Sequence, residues 1–180
     1  MPYNKIVVSM KALIINDMEN DFVDEKGALR VDTAIDCVEP IKALKAQMKK
    51  EGAPVIYVCD THFKGDKEFE KWGPHAVDGT WGAQVIEALK PDGDDYVIKK
   101  WRYSAFFATP LDLLLGELTV DTIVLVGVLT DVCIQHTAAD AYFRGYKTIV
   151  PRACTATISE ERKTYALNFI EQMYEAEIVD

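Results

Sequence analysis

The stretch DTIVLVGVLTDVCIQHTAADAYFRGY, residues 121–146, decides the fold. Thr122 to Val128 is a run of Ile, Val and Leu without a charge, the pattern of a strand covered on both faces in a parallel sheet. A tight connection is expected over Leu129 to Asp131. A helix is then predicted over roughly Val132 to Arg144, with Ile134, Ala138, Ala141 and Tyr142 recurring at helical spacing and Gly145 as its stop. Cys133 falls in the first turn of that helix, where unpaired amides and the positive dipole end favour an anion. A thiol so placed is expected to ionise more readily and to serve as a nucleophile. The competing expectation is a small buried hydrophobe, the usual state of a free cysteine.

Outward from this unit, strands and helices alternate. Ala12–Asn16, Pro54–Cys59, Tyr96–Lys99, Lys147–Val150 and Glu177–Val179 read as further strands. A helical pattern runs from Asp32 or Thr33 to about Lys50, interrupted by Pro40, which restarts or kinks it. A short helix is expected over Trp81–Leu89. Another follows Thr109 and Pro110, and a last one spans 159–175, capped by Thr157 or Ser159. Residues 18–31 read as polar and turn-rich, and 61–80 and 100–109 as long irregular segments of the kind that carry function. The alternation predicts a three-layer α/β fold with a mostly parallel central sheet flanked by helices. One domain is expected over 1–180, with 1–10 as an N-terminal extension and Met10 as an alternative start.

The 180 residues suit a single domain, and the apolar share of 49% suffices for a full core. A net charge of −9 argues against a nucleic-acid or anionic-membrane surface. No apolar run approaches the ~18 residues of a membrane span. The four cysteines show no C-x-x-C spacing, so a reduced, cytoplasmic protein is expected, with Cys37, Cys59 and Cys154 structural. No G-x-G-x-x-G follows a strand, so a dinucleotide fingerprint is absent.

In open α/β sheets ligands bind beyond the carboxyl ends of the strands. That rule collects Asp17, Asp60 with His62, Lys99 with Lys100, and Cys133 at one edge. Singly, each has an ordinary structural explanation; together they mark a candidate site. Asp60 and His62 share a face if the strand geometry continues. With His75 and Glu68 further along the loop they would suit Zn²⁺, Mn²⁺ or Fe²⁺. Spacing alone leaves open whether the two histidines are ligands or unrelated loop residues. His136, one turn after Cys133, competes with Asp17 as the base for the thiol, although a hydrogen-bonded position in a packed interior is the stronger expectation for it.

The segments ALIINDMENDFV (12–23), CDTH (59–62), GPHAVDGTWG (73–82), KWRYSAFFAT (100–109) and GVLTDVCIQHTAADAYFRGY (127–146) together resemble the isochorismatase-like cysteine hydrolases, and within them the metal-dependent nicotinamidases. The likeness extends from about residue 11 to the end. It implies a catalytic triad of Asp17, Lys100 and Cys133. It also implies metal ligation by Asp60, His62 and His75, with Glu68 as an additional carboxylate, and zinc before manganese or iron. A cis peptide is implied at Val128–Leu129, with the amides of Leu129 and Cys133 as an oxyanion hole. Phe22, Trp72 and Tyr103 would wall an aromatic-ring pocket. The implied activity is hydrolysis of nicotinamide to nicotinate and ammonia through a cysteine thioester, in a cytoplasmic homo-oligomer. An N-carbamoyl amidase, an isochorismatase-type hydrolase or a non-catalytic binding member are the alternatives.

Overall fold

The computed structural model describes residues 10–180; the expected N-terminal extension otherwise lies outside the described residues. The sheet contains β1 (Lys11–Asn16), β2 (Val55–Asp60), β3 (Tyr96–Lys100), β4 (Thr122–Val128), β5 (Lys147–Pro151), β6 (Thr155–Ala156) and β7 (Glu177–Val179). Its order is β3-β2-β1-β4-β5-β7, with β6 against the end of β4. All of these ladders are parallel. The helices are α1 (Asn20–Val23), α2 (Val38–Lys50), α3 (Phe69–Trp72), α4 (Leu111–Glu117), α5 (Gln135–Phe143) and α6 (Glu160–Tyr174).

The two-residue period of the strands divides the core. Leu13 and Ile15 of β1, with Val124, Val126 and Val128 of β4, face the layer that holds Val38, Ile41 and Met48 of α2. Ala12, Ile14, Ile123 and Leu125 face Leu111 and Leu115 of α4, Ile134 just before α5, Ala138 of α5, and Leu167 and Ile170 of α6. Every residue of β4 is buried, as its uncharged run requires. At Gly127 (φ +112°) an added Cβ would stand 1.9 Å from the carbonyl oxygen of Asn16. Only glycine therefore lets the ends of β1 and β4 close up, which is where the strand order reverses.

Several local expectations are corrected. Trp81–Leu89 is not a helix. Its backbone is drawn into pairing with residues 18–21: Asn20 N–H donates to Gln84, Asp21 N–H to Gly82 and Ile86 N–H to Met18. Only Glu87–Leu89 coils, as a 3₁₀ turn. The polar stretch after β1 contains α1, and the 61–80 segment contains α3. The long pattern from Asp32 splits into a 3₁₀ turn, Asp32–Cys37, and α2, with Pro40 in the first turn of α2, where no intrahelical N–H is needed. Ser159 rather than Thr157 caps α6, accepting from Arg162 N–H. Tyr142 is 41% exposed, unlike Ala138 and Ala141, so the buried stripe of α5 is narrower than its sequence spacing implies.

Candidate active site and metal centre

Cys133 lies not in an α-helical turn but in a π-turn, Thr130–Ile134, that precedes α5. The turn is clamped from α6 and the segment before it: Arg162 Nε donates to Asp131 Oδ2 at 2.6 Å, and Thr157 Oγ1 donates to Asp131 Oδ1. The Val128–Leu129 peptide at its entry is cis.

Lys100, the last residue of β3, has a side chain only 1% exposed. Its ammonium stands 2.9 Å from Asp17 Oδ2, 3.4 Å from Asp60 Oδ1 and 3.7 Å from Cys133 Sγ. Asp17, at φ +52°, turns its carboxyl inward from the end of β1. Its Oδ1 receives no hydrogen bond, and the Cys133 thiol lies within reach of the carboxyl. Burial pushes the Asp17 carboxyl up to about 6, against the pull of Lys100. Burial and then the Asp17 charge push the Cys133 thiol well above its ordinary value, despite Lys100. The expectation of a spontaneously ionised thiol is thus corrected. The helix end is outweighed by desolvation and a carboxylate neighbour, so the resting group is a thiol beside a free carboxylate oxygen.

The second cluster adjoins the first through Asp60. Its Oδ2 lies 2.9 Å from His62 Nε2 and 3.3 Å from His75 Nε2. His62 Nδ1–H donates to Asp66 Oδ2 at 3.0 Å, and His75 Nδ1–H donates to the carbonyl of Gly73 at 2.8 Å. Both rings thereby aim Nε2 at one carboxylate oxygen, and, although burial opposes it, the hydrogen bonds to Asp60 and Asp66 push the His62 imidazole up to about 9. One ligand atom each from Asp60, His62 and His75 fall within 4.8 Å of one another, all three residues buried. Two imidazole nitrogens and a carboxylate oxygen converging on one point fit a divalent cation, which would replace the protons they share, and the oriented Nδ1 atoms are the usual outer support for such ligands. Although burial opposes it, Lys100 and the two histidines hold the Asp60 carboxyl well below the ordinary carboxylate value. Glu68 lines the same cleft, 3.7 Å from Arg102 Nη1; it is not among the three converging groups.

Asp17, Asp60, Glu68, His75 and Cys133 line one cleft of about 590 Å³, counting its open mouth. Phe22, Trp72 and Tyr103 wall it as expected, with Trp72 Nε1–H donating to Tyr103 Oη at 3.0 Å. Leu29, Arg30, Val31, Val132 and Ile158 complete the walls. Sequence reading missed these five: Leu29, Arg30, Val31 and Ile158 come from turns with no periodicity, and Val132 gives no sign in the sequence that it faces the cleft rather than the core. It also missed Asp21, which accepts from Ala76 N–H at 2.8 Å and Ala28 N–H at 3.0 Å and so fixes the segment carrying His75. An Asp in a turn-rich stretch gives no signal of a partner 55 residues away. His136 is exposed, with Nδ1 hydrogen-bonded to the Val132 carbonyl at 2.7 Å. That departs from the packed interior expected for it, and leaves Asp17 as the carboxylate facing the thiol.

Known proteins share this arrangement of chain. The isochorismatase domain model matches residues 11–180. A pyrazinamidase/nicotinamidase from Streptococcus mutans UA159 superposes with a TM-score of 0.90 at 36% identity, covering 94% of this chain and 99% of that one. An N-carbamoylsarcosine amidase from Thermoplasma acidophilum gives 0.86 at 36% identity, covering 94% and 95%. A pyrazinamidase of Pyrococcus horikoshii, solved in complex with zinc, gives 0.89 at 27% identity, covering 94% and 98%. With its domain matched from β1 to the last residue, the chain belongs to the isochorismatase family and is an isochorismatase-like hydrolase.

Proposed function

We propose that the protein is a cysteine amidohydrolase that converts nicotinamide to nicotinate and ammonia. The observation that carries this reading is the buried Lys100 ammonium, shared between the Asp17 carboxylate and the Cys133 sulfur, both of which line an aromatic-walled cleft. In this reading Asp17 and Cys133 are catalytic and Lys100 favours their anionic forms.

Asp17 takes the thiol proton through its unpartnered Oδ1. The sulfur attacks the carboxamide carbon, and the carbonyl electron pair moves onto oxygen. The amides of Leu129 and Cys133 receive that oxyanion, a role in which one lost donor costs about 3–4 kcal/mol. The intermediate collapses as the C–N bond breaks, and Asp17 returns the proton to the departing ammonia. Water, deprotonated by Asp17, attacks the thioester. The C–S bond breaks, nicotinate forms, and the sulfur recovers its proton. Phe22, Trp72 and Tyr103 hold the ring.

Asp60, His62 and His75 would hold a divalent metal, zinc first, with Glu68 as the nearby additional carboxylate. When bound, it would supply a Lewis-acidic anchor for the pyridine nitrogen. A cytoplasmic homo-oligomer is part of the same proposal. No helix among the described residues is long and apolar enough to cross a membrane.

Hydrolysis of an N-carbamoyl compound is the second reading, favoured by the likeness to the carbamoylsarcosine amidase. Ammonia release from nicotinamide, pyrazinamide and N-carbamoyl amino acids separates the two. Activity on nicotinamide that falls on chelation and returns with metal supports the proposal. Ammonia from the N-carbamoyl compounds alone would replace it. Activity indifferent to thorough metal removal would keep the cysteine chemistry and discard the anchor.

A further inference from the structure

One buried acid at this edge is left unused by the chemistry above. Glu19 lies two residues past Asp17 at the start of α1, and its backbone carbonyl accepts from Phe22 and Val23. The residue is fully buried, and neither carboxyl oxygen receives a hydrogen bond. The charges of Asp17 at the end of β1, Asp60 at the end of β2 and Lys100 at the end of β3 act on it, and Cys59 of β2 is its neighbour. The lysine is already engaged by Asp17 and Asp60, and no ion pair reaches Glu19 among the described residues. The Cys59 thiol lies within hydrogen-bonding reach of Glu19 but is a weak donor; a carboxylate removed from water without a stronger donor or a counter-ion is strongly disfavoured, whereas a carboxylic acid there loses far less. Burial first, and then the Asp17 and Asp60 charges, hold this carboxyl well above its ordinary value.

We propose that Glu19 is a positioning residue that works as a neutral carboxylic acid, whose proton limits the cluster to two carboxylates around one lysine and whose loss closes the site at alkaline pH. An ionised Glu19 would compete for Lys100. It would also raise the proton affinity of Asp17 and Cys133, so the thiol would be harder to activate. The kinetic part rests on the amidase reading; the charge state does not.

The comparison is between metal-replete wild type, Glu19→Gln and Glu19→Ala. Glutamine has nearly the shape of the neutral acid and cannot ionise. In the wild type the unfolded chain gives up the Glu19 proton above about pH 4.5, the ordinary value, while the folded protein keeps it. Stability associated with this group is therefore complete below that pH and declines as the pH rises toward the folded value. The Tm of E19Q minus that of the wild type should be smallest near pH 4.5 and grow steadily toward pH 8. E19Q should keep the neutral-pH turnover that E19A loses, and its alkaline limb should lie at higher pH than that of the wild type. A Tm difference that does not change with pH would overturn the neutral acid. An alkaline limb shared by wild type and E19Q would overturn the positioning role. If no amide is turned over at all, the amidase reading fails, and the Tm comparison still decides the charge state of Glu19.

Discussion

Two lysine–aspartate clusters among the described residues are built to opposite ends. On the outer side of α2, Lys45 meets Asp95 at 2.7 Å and Asp92 at 3.1 Å. Lys49 there meets Asp94 at 2.7 Å and Asp95 at 2.8 Å. Asp95 also accepts the backbone N–H of Asp92 at 2.8 Å. The acids and cations there satisfy one another and tie a turn to a helix, with the side chains of Lys45 and Asp95 buried and those of Asp92 and Asp94 in solvent. At the sheet edge a single buried lysine serves Asp17, Asp60 and Cys133. Around it, Asp17 Oδ1 and both Glu19 oxygens are left without partners. The number of ion pairs does not distinguish the two places. Buried, unspent hydrogen-bonding and ligand capacity does, because it is costly to maintain and is available to a substrate, a proton or a metal.

That contrast can be broken most severely at the sulfur. Cys133→Ala should reduce turnover by at least about 10³-fold while leaving metal content unchanged, read by ammonia release beside elemental analysis. Next, Asp66→Asn should weaken metal binding by about 10–100-fold, measured by competition with a chromophoric chelator, because it loosens the support of His62 Nδ1. The pH profile sharpens the role of Asp17. Its carboxylate must be free to accept a proton, so kcat/KM should fall about tenfold per pH unit below about 6 and level off above it. An acid limb near the ordinary 3.8 would contradict the buried setting. The smallest effect is expected from the outer cluster: Lys49→Ala should leave activity unchanged and lower Tm only slightly, since its pairs with Asp92 and Asp94 are exposed and the buried Asp95 carboxylate keeps Lys45 as its partner.

Much of this contrast was written in the chain. The uncharged run Thr122–Val128 reads as a doubly covered strand and is one over the same residues. The strand-end rule brings Asp17, Asp60, the Lys99–Lys100 pair and Cys133 to one edge, whereas the choice of Lys100, and of His62 and His75 as ligands, comes only from the family resemblance. What stayed hidden depends on contacts between distant turns. Trp81–Leu89 has helical composition, but its backbone pairs with residues 18–21. At Gly82 an added Cβ would lie 2.1 Å from Asp21 Oδ2, a constraint no local pattern encodes. The ionisation of Cys133 was misjudged for a similar reason. A helix start is visible in sequence, whereas desolvation and the approach of Asp17 appear only in three dimensions. Glu19 looks like any acid of a polar turn until its burial is known.

The central claim is that Cys133 carries the acyl group. Rapid acid quench of the metal-replete protein with nicotinamide, followed by peptide mass spectrometry, tests it most directly. The account predicts a nicotinoyl adduct on the peptide containing Cys133, present during turnover, absent once substrate is exhausted and absent in Cys133→Ala. Sustained ammonia release by Cys133→Ala, with no adduct on the wild type, would contradict it.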